Sequence, residues 1–126
     1  MNKQPSLQPI LFIDLKKNRI RIHKQTLHLL GDPEYIQLLI NPVTRLIAVR
    51  RSIQKDYLAH RVRHNNNSDR FCFELYSQEL IHTLQKVNDD LESNKGYRIY
   101  GKFNAKECIA QFAIDDLVLL TEIQEE

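Results

Sequence analysis

Between Lys16 and Lys24 the chain places six basic or potentially basic side chains in nine positions: Lys16, Lys17, Arg19, Arg21, His23 and Lys24. Such a cluster can neutralise phosphates, and an arginine that reaches the major groove can bridge the acceptor edge of guanine. Arg19-Ile20-Arg21-Ile22-His23 alternates basic with apolar, so one face has to meet a core while the other shows cations to solvent or a ligand. The same alternation also suits a solvated strand face whose charges protect a sheet edge.

Other residue types point to less. Arg45, Arg50, Arg51, Lys55, Arg61 and Arg63 form a second basic group, in which the adjacent Arg50 and Arg51 at a strand end must face opposite ways. His60 and His64 would share a face if helical, but Arg61 and Arg63 lie between them and no further ligand stands at metal spacing, so no metal site is expected. With only Gly31, Gly96 and Gly101 there is no glycine-rich phosphate loop, and no nucleophile elbow or zinc-protease helix occurs. Asp89-Asp90 and Asp115-Asp116 fit solvated turns. No catalytic residue and no cofactor are expected. Tyr57, Tyr76, Tyr97 and Tyr100 could stack on bases, or simply pack with a polar tip outward.

Charge divides the chain. Residues 1–64 hold 12 Lys or Arg against 4 Asp or Glu, a net of +8, whereas residues 65–126 hold 6 against 12, a net of −6. Only the first half can seek a polyanion. At 126 residues one domain is expected, and no run approaches the roughly 18 apolar residues of a membrane span. The N-terminus has no secretory pattern, and Cys72 and Cys108, each in an apolar or alternating run, read as reduced, buried thiols. A cytoplasmic protein is expected.

The elements that must carry these residues follow from pattern and turn chemistry. Ile10 to Ile13 reads as a strand, Asp14 to Asn18 as a charged turn, and Lys24 to Leu30 as a two-turn helix closed by Gly31. Tyr35–Ile40 and Leu46–Val49 read as a hairpin around Asn41-Pro42-Val43-Thr44, the first run apolar on both faces and therefore central. Residues 52–70 read as a linker containing the Asn65-Asn66-Asn67 tract. Phe71 to Leu75 is then a strand, and Ser77 caps a helix whose stripe Leu80, Ile81, Leu84, Val87 and Leu91 runs on to Asn94-Lys95-Gly96. A second hairpin, Tyr97–Tyr100 with Cys108–Ile114, precedes an acidic tail.

The order strand, helix, glycine, hairpin thus occurs twice, which suggests a duplicated unit, with Lys24-Gln25-Thr26-Leu27 matching Ser77-Gln78-Glu79-Leu80 and Tyr35 matching Tyr97. In the first copy, Asp14-Leu15-Lys16-Lys17-Asn18-Arg19-Ile20-Arg21-Ile22-His23, leading to Leu30-Gly31, resembles the AbrB-like family of swapped-hairpin DNA-binding domains. The tandem arrangement is similar to the family's MraZ branch. Asn18 stands where the family has Gly, Asp14 is one residue further from Arg19, His23 replaces Pro, Leu27 replaces a common Arg, and the second copy lacks the basic signature.

The resemblance implies an α+β, mostly β fold in which two strand-helix-strand-strand units, about 10–51 and 71–114, interlace into one compact barrel or sandwich. It implies a small non-catalytic regulator that binds duplex DNA through Arg19 and its strand neighbour Arg21, with Lys16, Lys17 and Lys24 added by charge and placement. The acidic second unit would be a structural partner and could pair with the basic face of another copy in a homo-oligomer. The other reading is a protein–protein interaction module that keeps this fold without binding nucleic acid.

Overall fold

The structure is a computed structural model that describes residues 8–62 and 72–120. It is mostly β, with ten strands in two five-stranded sheets rather than one closed barrel. Strands β1 (Ile10–Asp14), β2 (Arg19–His23), β6 (Cys72–Tyr76), β7 (Gly96–Tyr100) and β10 (Val118–Leu119) form the first sheet, in the order β10-β7-β1-β2-β6. Strands β3 (Tyr35–Asn41), β4 (Leu46–Ser52), β5 (His60–Arg61), β8 (Lys102–Asn104) and β9 (Ile109–Ala113) form the second, in the order β5-β3-β4-β9-β8. Every pairing is antiparallel.

Alternation decides which face is inside. Leu11 and Ile13, Ile20 and Ile22, Leu75, and Tyr97 and Ile99 of the first sheet share one hydrophobic cluster with Ile36, Ile47, Val49, Ala110 and Phe112 of the second. Two short helices complete that cluster. Helix α1 (Lys24–Leu29) contributes Leu27, followed by Leu30, and α2 (Gln78–Val87) contributes Ile81, Leu84 and Val87. Buried Thr26 ties α1 to β1, its hydroxyl accepting from the Ile10 amide at 2.8 Å and donating to the Ile10 carbonyl at 3.0 Å. Among the described residues no helix is long and apolar enough to cross a membrane.

Three hairpins use the same four-residue loop. Asp14, Asn41 and Asn104 close the incoming strands, each side chain accepting from loop amides, and four residues later Asn18, Arg45 and Cys108 take positive φ of 52°, 59° and 57°. The Asx oxygen substitutes for backbone partners in the turn, and the left-handed residue redirects the chain into the returning strand. The positive φ expected at Asn18 is present. Cys108 is a half-buried free thiol in such a turn, not a buried strand residue, and the side chain of Cys72 lies outside the described residues.

Several sequence expectations need correction. The linker begins later than residue 52, because Ser52 ends β4 and His60–Arg61 pair with β3, with the Val62 amide donating to the Glu34 carbonyl. The N-terminal arm to Leu7, the asparagine tract and the acidic tail from residue 121 lie outside the described residues. Helix α2 stops at Val87, since Asn88 turns extended and its side chain accepts from the Asp90 amide; Leu91 is buried from the following loop. Strand β3 is not buried on both faces, as Leu39 is 39% exposed.

The expected second hairpin is divided between the sheets. Residues Gly96–Tyr100 pair with β1 and β10, whereas Lys102–Asn104 pair with β9, and the chain crosses between them at Gly101. A Cβ there would lie 2.3 Å from the Gln111 carbonyl oxygen and 2.5 Å from Cδ2 of Phe112. Gly101→Ala is therefore expected to lower the unfolding free energy by about 1–3 kcal/mol, read as an earlier midpoint in urea; an unchanged midpoint would mean that the crossing tolerates a side chain.

Candidate functional site

The face of the first sheet turned away from the core collects the chain's most chemically active side chains. Since Leu11, Ile13, Ile20, Ile22, Leu75, Tyr97 and Ile99 point inward, Phe12, Asp14, Arg19, Arg21, His23, Glu74, Tyr76, Arg98 and Tyr100 stand on the opposite face. Across the strands Arg19 lies between Asp14 and Tyr76, and Arg21 between Phe12 and Glu74.

These neighbours engage the arginines. Arg19 Nη2 donates to Asp14 Oδ2 at 2.8 Å and Nη1 to Glu74 Oε2 at 3.2 Å, and Arg21 Nε stands 3.5 Å from the same Glu74 oxygen. The side chains of Arg19 and Arg21 are only 13% and 11% exposed. Burial opposes the Arg19 charge, but hydrogen bonds with Tyr76 and Asp14 and the charges of Glu74 and Asp14 outweigh it and raise its pKa above the ordinary arginine value. The expectation that Arg19 and Arg21 are displayed outward for phosphate contact is corrected here. Asp14, five residues earlier in the same hairpin, and Glu74, which only the non-local β2–β6 pairing brings alongside, hold them against the sheet.

The lysines stay at the surface. Lys16 and Lys17 are exposed in the β1–β2 turn, where their amides donate to Asp14 Oδ1 at 3.0 and 3.1 Å, and Lys24 is exposed at the start of α1. Asp14 therefore shapes the turn with one oxygen and holds Arg19 with the other. Lys95 is also exposed beside this turn, its carbonyl accepting from the Leu15 amide at 2.9 Å.

The remaining basic group is mostly exposed too. Arg50, Arg51, Lys55 and Arg61 are at the surface, and the register puts Arg50 beside Gln37 while the next residue, Arg51, points the other way, as expected. Arg45 is instead bound to Asp115, its Nε 2.9 Å from Oδ2, and to the Val87 carbonyl. The exposed acids of this half are engaged as well: Asp32 with His28, Glu34 with Arg61, and Asp56 with Ser52 and the Ile53 amide. His60 lies in a strand, His64 lies outside the described residues, and no group of three metal-ligating side chains occurs among the described residues.

Tyrosines sort by position. Tyr97 is core, its hydroxyl accepting from the Glu92 amide, whereas Tyr57, Tyr76 and Tyr100 are 82%, 60% and 48% exposed. Sequence reading missed Asp14 and Glu74 as site residues. Glu74 carried a signal, standing between Phe73 and Leu75 on the polar side of its strand, but its partner required the β2–β6 pairing.

Two outcomes follow from this geometry. Glu74→Ala removes a carboxylate that Arg19 and Arg21 share on a half-buried face while Asp14 still holds Arg19, so unfolding free energy should fall by about 1–3 kcal/mol; no change in urea midpoint would mean the shared contact is idle. His23 caps α1, its Nδ1 accepting from the Gln25 amide at 3.0 Å, and burial lowers its pKa below the ordinary 6.5, with His60 shifted the same way by burial. The unfolded chain therefore takes up the proton first, so stability is lost as pH falls below about 6.5. His23→Asn keeps a cap acceptor without titrating, and the difference in urea midpoint between pH about 7 and about 5 should shrink.

Comparison with family models, with curated proteins and with solved structures finds no match to this chain.

Proposed function

We propose that this chain is a small non-catalytic DNA-binding regulator of AbrB-like type, built from two interlaced units. The pairing pattern supports the interlacing. Strand β2 pairs with β6 about the Arg21–Glu74 position, β4 pairs with β9 about Ala48–Gln111, and β1 with β7 mirrors β5 with β3. Exchanging β1, β2, β3 and β4 for β5, β6, β7–β8 and β9 maps these pairings onto themselves, as a pseudo-two-fold axis through two swapped hairpins would, although the β1–β2 pair has no counterpart because β5 and β6 lie in different sheets. The shift that carries Asn41 to Asn104 and Arg45 to Cys108 carries Tyr35 to Arg98, one residue past the Tyr97 match suggested by sequence.

The observation that carries the polyanion reading is the charge left at the surface of the first unit. Lys16, Lys17, Lys24, Arg50, Arg51, Lys55 and Arg61 are exposed, against Asp32, Glu34 and Asp56 as the exposed acids among the described residues of that unit, so the surface charge there is positive. Phosphate contact then belongs to Lys16 and Lys17 at the turn and Lys24 beside it, with Arg19 and Arg21 bracing the strand behind them. The acidic second unit serves as scaffold, and its charge allows pairing with the basic unit of another copy.

A second reading, a protein-interaction module on the same fold, has its own support in the β4–β5 connection. Ile53, Tyr57 and Leu58 are 59%, 82% and 57% exposed there, yet hydrogen bonds fix the loop: Asp56 accepts from Ser52 and Ile53, and Gln37 donates to the Tyr57 carbonyl at 2.6 Å. Exposed apolar side chains on a fixed loop suit a protein partner.

Fluorescence anisotropy with a labelled random duplex separates the two. The DNA reading expects binding at low salt that weakens steeply as salt rises, with Lys16→Ala/Lys17→Ala reducing the log–log salt slope by about 2. Arg19→Ala should lower the urea midpoint more than it lowers affinity. Absence of binding at low salt, or an unchanged slope in the double variant, would overturn the DNA reading. Loss of a discrete co-purifying protein on Ile53→Ser/Tyr57→Ser/Leu58→Ser would favour the interaction module.

A further inference from the structure

The outer face of the first sheet offers a second, different kind of surface. Phe12 lies in the middle strand with Arg21 opposite it on one side and Arg98 opposite it on the other. Tyr100 is its diagonal neighbour on β7, about 7–8 Å away in such a ladder, and the His23 ring centroid lies 6.4 Å from that of Phe12. Tyr76 stands across from Arg19 at the β6 side. Three aromatic rings from three strands are thus interleaved with three guanidiniums on one sheet face, and two of the rings, Tyr76 and Tyr100, are about half exposed or more.

Charge on this face does not close. Among the described residues, Asp14 and Glu74 are two carboxylates against Arg19, Arg21 and Arg98, and both bind the β2 side. Arg98 forms no ion pair among the described residues. Its guanidinium lies 5.2 Å from the centroid of Tyr100, and its buried Nε has no hydrogen-bond partner. The buried Nε of Arg19 shares that state, so what sets Arg98 apart is its charge without a carboxylate partner among the described residues, which an anionic oxygen can meet at the guanidinium's other nitrogens.

The geometry points to this face as a binding platform for short single-stranded nucleic acid, with bases stacking on Tyr100, Phe12 and Tyr76 and a phosphate drawn to Arg98. The occupant follows from the combination present. Rings set on separate strands accept separate bases, arginine beside a ring adds its own stacking surface, and an excess cation calls for an anion. A duplex hides its base faces, so this ligand is distinct from the one proposed for the β1–β2 turn. Either reading can fail alone.

The test uses a fluorescein-labelled oligothymidylate with the full-length chain at low salt. Binding is expected, with about tenfold or greater loss for Tyr100→Ala and for Tyr76→Ala, the range that removal of one stacking side chain gives. Tyr100→Phe should restore binding, because it keeps the ring. Lys16→Ala/Lys17→Ala should leave oligothymidylate affinity within a small factor while weakening duplex binding. Tyr76 also donates to Glu74 at 3.2 Å, so Tyr76→Phe, which drops that bond and keeps the ring, should retain binding, and affinities are compared among variants whose circular dichroism matches the parent. No anisotropy change at low salt, equal affinity in the alanine variants, or complete displacement by inorganic polyphosphate at equal phosphate concentration would overturn the platform, the last by showing attraction to charge alone.

Discussion

Strand β2 can occupy an interior position of its sheet only because acidic or aromatic residues flank each of its arginines. Adjacent strands bring cross-strand side chains to about 4.5–5.5 Å, where like charges destabilise. Asp14 on one side and Glu74 on the other convert two guanidiniums from a source of repulsion into cross-strand links. The two carboxylates come from places with different roles. Asp14 also shapes the β1–β2 turn, and Glu74 comes from the far half of the chain, so turn geometry, charge balance and the joining of the halves depend on one small network. Half-buried pairs of this kind contribute little over an apolar replacement, but losing one partner strands the other.

The two sheets are joined by packing, and a few directional links fix a helix and a strand crossing at their borders. Thr26 fixes α1 to the first residue of β1 through both its donor and its acceptor, which a hydroxyl can do and a methyl cannot. Gly101 lets one strand leave the first sheet and enter the second without a connecting loop, because its missing side chain admits the Gln111 carbonyl and the Phe112 ring. The Gly101 amide is not wasted in the crossing, since it donates to the Pro9 carbonyl at 2.9 Å. Both links are local in space but distant in sequence.

What could be read in advance was local. The alternation from Arg19 to His23, the left-handed turn at Asn18, the glycine after α1 and the Ser77 cap all follow from a few neighbouring residues, and each has its counterpart in the structure. The end of α2 is not legible from apolar spacing, which continues to Leu91, whereas the Asn88 side chain takes up the Asp90 amide and ends the helix. The sheet crossing is hidden because Gly101 sits within a run of strand formers, and only packing reveals that the run serves two sheets. The arginines do stand on the outward side of β2, as the alternation requires, but their burial against carboxylates is not legible there. Alternation tells which side of a strand is polar, but it says nothing of whether a neighbouring strand brings an opposite charge to that side.

The outermost strands carry a further consequence. Strands β5 and β10 have two residues each and β8 has three, so three of the four sheet margins offer almost no row of open amides and carbonyls. Short borders of this sort give an incoming chain too little template to extend the ladder. Runaway stacking of copies, the usual hazard of a mostly β molecule, is thereby discouraged at those margins, which leaves the five-residue β6 as the one border with a row of backbone groups among the described residues.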